Sequence, residues 1–368
     1  MKVQKGYKTE LKLNNKQRTA CLKHAGAARF AYNWGMSQKK TAMESRDKIP
    51  NAIELHRKLN QLKKTEFGWM YEVSKCSPQE ALRNLDRAFN NFFKKISRFP
   101  KFKSKKNGIG SFRLTGTIKV SEDTIQLPRL GKLRLKEKGY LPTDAKILSA
   151  TVSEKAGRWF VSLQVEEEID QPKLVKDQHD KVGVDLGIKT LATVSDGTIF
   201  ENPKPLKKRL RKLQKLNRSL SRKQKGSQNR KKARNKLARF YFKISNIRKD
   251  TLHKMTTVLA KTKRVIGIED LNVSGMLKNR KLARSIADIG FFEFRRQLEY
   301  KGNWYGCQVV PVDRFFPSSK TCSVCGEINE KLTLAHREWY CEECDTHHDR
   351  DFNASCNLEF VAVSSTEI

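Results

Sequence analysis

Apolar and polar residues alternate with period two in Tyr7-Lys-Thr9-Glu-Leu11-Lys-Leu13, the spacing of one strand face, and this predicts a strand. From Asn15 to about Lys95 the period becomes helical. Its clearest piece opens at Ser77-Pro78-Gln79-Glu80, which reads as a capping box with proline at the first helical position. Leu82, Leu85, Phe89, Phe92 and Ile96 continue it as one apolar stripe. Near Phe99 the period returns to two. Phe112/Leu114, Ile118/Val120, Ile125/Leu127, Leu133/Leu135 and Trp159/Val161/Leu163/Val165 read as short strands, divided by turns such as Ser121-Glu122-Asp123 and Ala156-Gly157. The expectation is a small antiparallel barrel or sandwich, completed by the first strand, with the helical block inserted into it. The acidic, proline-containing run Glu166–Asp180 reads as a linker.

Beyond it, Val182–Asp185, Leu191–Val194 and Thr198–Phe200 read as strands, with Ser195-Asp196-Gly197 a turn. Lys204–Lys254 keeps helical spacing through Leu206, Leu210, Leu213 and Leu220, then through Ala233, Leu237, Phe240, Ile244 and Ile247; Gly226-Ser227 marks the break of a helical hairpin. Arg264–Leu271 returns to strand, Ala287–Lys301 to helix and Gln308–Val312 to strand, and a last helix starts near Asp351. Strands interleaved with helices argue α/β for this part.

Charge changes the picture. The 368 residues carry 76 Lys and Arg against 39 Asp and Glu, a net charge of +37. The hairpin region concentrates it, with 21 basic residues against the single acid Asp250. Such a stretch repels itself without a counter-charge, so a phosphate backbone is the expected partner, and a small-molecule substrate is not. No apolar run approaches the ~18 residues of a membrane span, and the N-terminus lacks an apolar signal region. A cytoplasmic protein is expected, without membrane partners. Cys21, Cys76, Cys307 and Cys356 are scattered singly, as reduced thiols are.

The other four cysteines are the most specific signal. Cys322-Ser-Val-Cys325 and Cys341-Glu-Glu-Cys344 lie fifteen residues apart, the two-knuckle zinc pattern. Four thiolates close a tetrahedron and leave no position for water, so a structural zinc is expected. His336, His347 and His348 lie close enough to substitute for a ligand, but four cysteines need none.

A second signal lies in two strands. In Val182-Gly183-Val184-Asp185 and Ile266-Gly267-Ile268-Glu269 a glycine precedes an acid on the same face, leaving room beside the carboxylate. This favours Glu269 over its neighbour Asp270. A third acid, Asp351 in Asp349-Arg350-Asp351-Phe352-Asn353-Ala354, opens a helix. Convergent carboxylates suit Mg²⁺, and two such ions (Mn²⁺ also possible) can activate water and stabilise a leaving oxygen of a phosphodiester. Singly, each acid reads as a turn, a solvated strand end or a helix cap; jointly, in so basic a chain, the catalytic reading is preferred.

These residues resemble the TnpB proteins of bacterial insertion sequences, relatives of type V CRISPR effectors. The matching pieces are Gly183-Val184-Asp185-Leu186-Gly187-Ile188-Lys189, Glu269-Asp270-Leu271-Asn272, Ser318-Ser319-Lys320-Thr321-Cys322-Ser323-Val324-Cys325-Gly326, the segment from Asp349 to Ala354, and Arg98-Phe99-Pro100-Lys101-Phe102-Lys103. The resemblance implies a multidomain α+β and α/β chain. A wedge-like antiparallel β-barrel (1–14 and 99–170) carries an inserted helical recognition lobe (15–98). A linker (171–180) leads to an RNase H-like RuvC domain (181–313, with the hairpin at 204–254), a zinc ribbon insertion (314–348) and the RuvC closing helix and tail (349–368). It also implies Asp185, Glu269 and Asp351 as the metal-binding triad, choosing Asp351 over Asp349. The implied activity is cutting of double-stranded target DNA with a guide RNA from the transposon end, beside a short motif that the protein reads. Tyr32, Gln79 and Asn84 lie where the family reads that motif. Rival readings are a catalytically silent guided repressor, a zinc-ribbon nucleic-acid-binding protein, and a transposase performing strand transfer.

Overall fold

In the computed structural model, which describes residues 1–169, 180–333 and 335–366, the first strand is longer than its alternation predicts and runs as β1 (Lys2–Lys12). The chain forms two compact units, Met1–Ile169 and Asp170–Ile368. In the first unit β1 is joined by β2 (Ser111–Leu114), β3 (Lys119–Val120), β4 (Thr124–Leu127), β5 (Gly131–Leu135), β6 (Lys146–Lys155) and β7 (Arg158–Glu168). The antiparallel sheet has the order β2-β6-β7-β1-β5-β4-β3, so β1 lies in its middle. The expected barrel is not closed. Its two end strands are joined by only the four residues 115–118, yet no ladder links them among the described residues. At this edge the Thr115 carbonyl instead accepts the Cys76 thiol at 3.4 Å.

Two readings of this unit are corrected. The linker expected from Glu166 begins later, because Glu166–Glu168 complete β7: Lys146 pairs with Glu166 at 3.0 Å, while Lys5 at 2.9 Å and the Tyr7 hydroxyl at 2.7 Å hold Glu167. Cross-strand partners turn an acidic run into strand; residues 170–179 of the expected linker lie outside the described residues. The capping box at Ser77 is also absent. Helix α1 (Asn15–Glu44) and helix α2 (Ala52–Leu62) do have boxes, at Asn14/Gln17 and Asn51/Glu54. Helix α3 (Cys76–Phe93) starts one residue before Ser77, whose buried hydroxyl donates to the His24 carbonyl at 2.8 Å. Glu80 accepts from Arg83 instead, and Ile96 lies past the helix end, 71% exposed. Leu82, Leu85 and Phe89 are buried as their stripe predicts.

The second unit holds a mixed sheet of order β10-β9-β8-β11-β12. Its strands are β8 (Lys181–Asp185), β9 (Ala192–Val194), β10 (Ile199–Phe200), β11 (Val265–Glu269) and β12 (Gln308–Val312); β8, β11 and β12 run parallel, and β8, β9 and β10 pair antiparallel. The basic hairpin is α4 (Pro205–Ser221) and α5 (Gln228–Thr262), with Ser227 capping α5. Arg230 closes its tip by donating to the Leu220 and Lys223 carbonyls at 2.9 and 2.7 Å. After the one-turn helix α6 (Val273–Met276), the single helix expected over Ala287–Lys301 is two. These are α7 (Ala283–Ile289) and α8 (Phe291–Tyr305), broken where Gly290 turns left-handed at φ 87°. A small hairpin, β13 (Glu338–Tyr340) and β14 (His347–Asp349), precedes the last helix, α9 (Arg350–Ser364).

Buried Asp288 on α7 anchors the basic hairpin. Its carboxylate accepts the Leu206 amide at 2.9 Å and the Arg248 guanidinium at 2.9 Å. Lys204, at the N-cap of α4, supplies no side-chain cap, so an acid from another helix meets the positive helix end.

Candidate metal centre and carboxylate site

Helix α9 lies directly on the sheet because two strand residues lack side chains. A Cβ at Gly183 would stand 1.9 Å from the Ser355 carbonyl oxygen, and one at Gly267 would stand 2.3 Å from that of Leu358. The room beside each carboxylate is therefore filled by helix backbone. The consequence is positional: with Ser355 over β8 and Leu358 over β11, the first turn of α9 reaches the strand ends that carry Asp185 and Glu269.

The three acids read from the sequence are brought to this place, and their neighbours are diverted. Asp349 is the N-cap of α9 and accepts the Phe352 amide at 2.9 Å, which leaves Asp351 in the first turn without capping duty. The Asp351 carboxylate faces Arg350 at 3.3 Å and Arg337 at 3.5 Å. Asp270 is held by Arg295 and Arg314, which keep its carboxyl below the usual range. Glu269 accepts a single described bond, from the Ser318 hydroxyl at 2.9 Å. Burial, and then the negative charges of Glu269 and Asp351, push the Asp185 carboxyl from 3.8 up to about 8. Half-buried acids that repel one another mark a place that a cation would relieve, so the donor set fits a hard divalent ion.

The cysteines fit zinc closely. The sulfurs of Cys322, Cys325, Cys341 and Cys344 all lie within 4.8 Å of one another, the one such cluster of ligand atoms among the described residues; the carboxylates are spaced more loosely. Cys322–Cys344 and Cys325–Cys341 stand at 3.6 and 3.5 Å, near the ~3.8 Å edge of a tetrahedron with 2.3 Å Zn–S bonds. Hydrogen bonds from Thr346 pull the Cys344 thiol down, favouring the thiolate that a metal needs, while the crowded sulfurs of its neighbours push the Cys325 thiol up. Of the three histidines considered as substitutes, His348 lies 3.1 Å from the Cys322 sulfur as an outer partner. His336 accepts from the Thr333 amide, and His347 faces Glu338.

Three residues that pattern reading left without a role connect these sites. Asn353 and Asn357, one turn apart on α9, both donate to the Thr321 carbonyl at 2.7 Å, and Asn357 also donates to that of Ser318 at 2.8 Å. The Ser323 amide donates back to Asn353 at 2.9 Å. Their traces in the sequence are the i,i+4 spacing of the two asparagines and the TnpB-like segments in which Ser318 and Asn353 fall.

In the first unit, Gln79 lines a groove with Lys63, Lys64, Lys75 and Arg129. Tyr32 is buried on α1 under the Lys103 ammonium, 4.0 Å from its ring centre, and Asn84 is half-buried on α3. No helix among the described residues is long and apolar enough to cross a membrane.

Comparison with known proteins bears on the whole chain. A family described as "Probable transposase" matches residues 160–280, and one described as "Cas12f1-like, TNB domain" matches 291–358. A "Putative RNA-guided DNA endonuclease" of Streptomyces pristinaespiralis is 38% identical over 99% of this chain and 90% of its own length. The "Putative RNA-guided DNA endonuclease InsQ" of Escherichia coli K12 is 34% identical over 97% and 92%. The chain belongs to the TnpB family. A Cas12f1 chain, solved with its sgRNA and target DNA, shares the fold at a TM-score of 0.59, with 15% identity, over 97% of this chain and 99% of that one. A further TnpB-associated match, residues 1–48, is described as a "Helix-turn-helix domain". In this TnpB protein those residues are β1 followed by one 30-residue helix, α1.

Proposed function

We propose that this TnpB protein is an RNA-guided DNA endonuclease of an insertion element, hydrolysing phosphodiesters at one site formed by Asp185, Glu269 and Asp351. The observation that carries this reading is the seating of α9 on Gly183 and Gly267, which brings Asp351 in its first turn to the strand ends that bear Asp185 and Glu269. Divalent ions bound there would activate water and stabilise the leaving oxygen. Asp185 keeps a proton until about pH 8 when no cation is present, and becomes an anionic ligand once that proton leaves. Ser318 fixes one oxygen of Glu269 and leaves the other for coordination. Arg337 and Arg350 hold Asp351 and add positive charge where a scissile phosphate must approach.

Family membership, the Cas12f1-like fold and the exposed cations of α4 and α5 support guide RNA and target DNA as partners. On this reading residues 181–313 and 349–368 form the RuvC domain, 314–348 a structural zinc ribbon, 1–14 and 99–170 the wedge, and 15–98 the recognition lobe. The guide comes from the transposon end, the groove around Gln79 lies in the unit that reads the target-adjacent motif, and the protein works in the bacterial cytosol. The test is cleavage of a plasmid carrying the guided target. Asp185→Ala and Glu269→Gln should abolish cutting in Mg²⁺ or Mn²⁺ while target binding persists. A wild-type protein that binds its target without nicking in either metal would instead be a guided repressor.

A further inference from the structure

The zinc knuckle and the carboxylate site share one hydrogen-bonded strut. Ser318 donates its hydroxyl to Glu269 Oε1 at 2.9 Å, while its own carbonyl accepts from Asn357 at 2.8 Å. Three residues on, the Thr321 carbonyl accepts from both Asn353 and Asn357 at 2.7 Å. The next residue is the zinc ligand Cys322, followed by Ser323, whose amide returns to Asn353. Ser318, Asn353 and Asn357 are all buried, so these bonds are made away from competing water. Asn353 and Asn357 sit on α9, the helix that delivers Asp351, and Ser318 holds Glu269. One short segment, 318–323, therefore ties both carboxylates to the metal knuckle.

We infer that Ser318 is a positioning residue for Glu269, and that the zinc-closed knuckle, through Asn357, holds Ser318 in place to set the affinity of the carboxylate site for its divalent cation. This rests on the proposed carboxylate metal site and adds to it a second site that tunes it. Hydrogen bonds to a ligand's second atom orient it, and their loss ordinarily weakens metal affinity by about 10- to 100-fold. The Ser318 hydroxyl is the one described donor to Glu269, so its removal frees the carboxylate to rotate.

The experiment is Mn²⁺ titration of the full-length, zinc-loaded protein, followed by the loss of the free-ion electron paramagnetic resonance signal, with zinc content and melting temperature measured on each sample. Ser318→Ala should weaken Mn²⁺ binding about tenfold with zinc content unchanged, and Ser318→Thr should restore it. Asn357→Ala, which keeps the hydroxyl but loosens its segment, should weaken Mn²⁺ binding by a smaller factor. Unchanged Mn²⁺ affinity in Ser318→Ala would overturn the inference, even if melting temperature fell. If the wild type shows no Mn²⁺ binding that Asp185→Ala removes, the carboxylate metal site itself fails, and this inference with it.

Discussion

Replacing Gly183 with alanine tests the placement of Asp351 without touching a carboxylate. The added methyl carbon would lie 1.9 Å from the Ser355 carbonyl oxygen and 2.5 Å from the Glu359 amide nitrogen, both helix backbone. Ordinary contact begins near 3.4 Å, so α9 and β8 must part by about 3.4 − 1.9 = 1.5 Å. Rotamer changes cannot relieve a clash with backbone, and overpacking of this kind costs about 1–3 kcal/mol. Because α9 carries Asp351 and β8 carries Asp185, the shift is transmitted to the carboxylate site. Misplacement by about 1 Å can cost on the order of 100-fold in rate. Guided cleavage of a supercoiled target by Gly183→Ala should fall by about that factor, with target binding retained. Gly26→Ala is the control: nothing lies within 4 Å of its added carbon in α1, and helix propensity there should raise stability by about 0.5–1 kcal/mol with cutting unchanged. Wild-type cutting and melting by Gly183→Ala would refute the claim that the two glycines seat the helix.

Two further outcomes follow from charge. The folded Asp185 carboxyl, raised from 3.8 to about 8, binds a proton that the unfolded chain has lost over that range, so its contribution to metal-free stability declines as pH rises through it. The stability of wild type minus that of Asp185→Asn, measured by denaturant melts with chelator present, should fall by about 1 kcal/mol per pH unit between pH 5 and 8 and then level off; a flat difference would contradict the assigned repulsion. For the hairpin, changing exposed Lys208, Arg211, Lys215 and Arg218 to glutamine should reduce the salt slope of RNA binding by about 3, at roughly 0.7–0.9 per lost phosphate contact. An unchanged slope would remove α4 from the nucleic-acid interface.

How much of this could be read from the sequence depended on distance along the chain. The cysteine pairs were legible because each knuckle is a local turn with fixed spacing. The open space on each strand face was legible from Gly183 and Gly267, although its occupant, α9, was not. Strand β6 escaped because Ser149-Ala150-Thr151 blurs its alternation and a bulge between Ile147 and Ser149 shifts its register. At Ser77 a local capping signal lost to a tertiary partner, the His24 carbonyl, which no neighbouring residue announces. Barrel closure failed as an expectation because alternation marks which residues pair but not whether the last strand meets the first. The strut through Ser318, Asn353 and Asn357 was hidden for the same reason: each residue has an ordinary local role, and only the fold joins them.

The central claim is that Asp185, Glu269 and Asp351 together hold divalent metal. Crystals soaked in Mn²⁺, with anomalous data collected above and below the manganese edge, locate that ion directly. The account predicts manganese peaks coordinated by those three carboxylates and a separate zinc peak among the four cysteine sulfurs. Manganese absent from the three acids at saturating concentration, or bound only elsewhere, would contradict it.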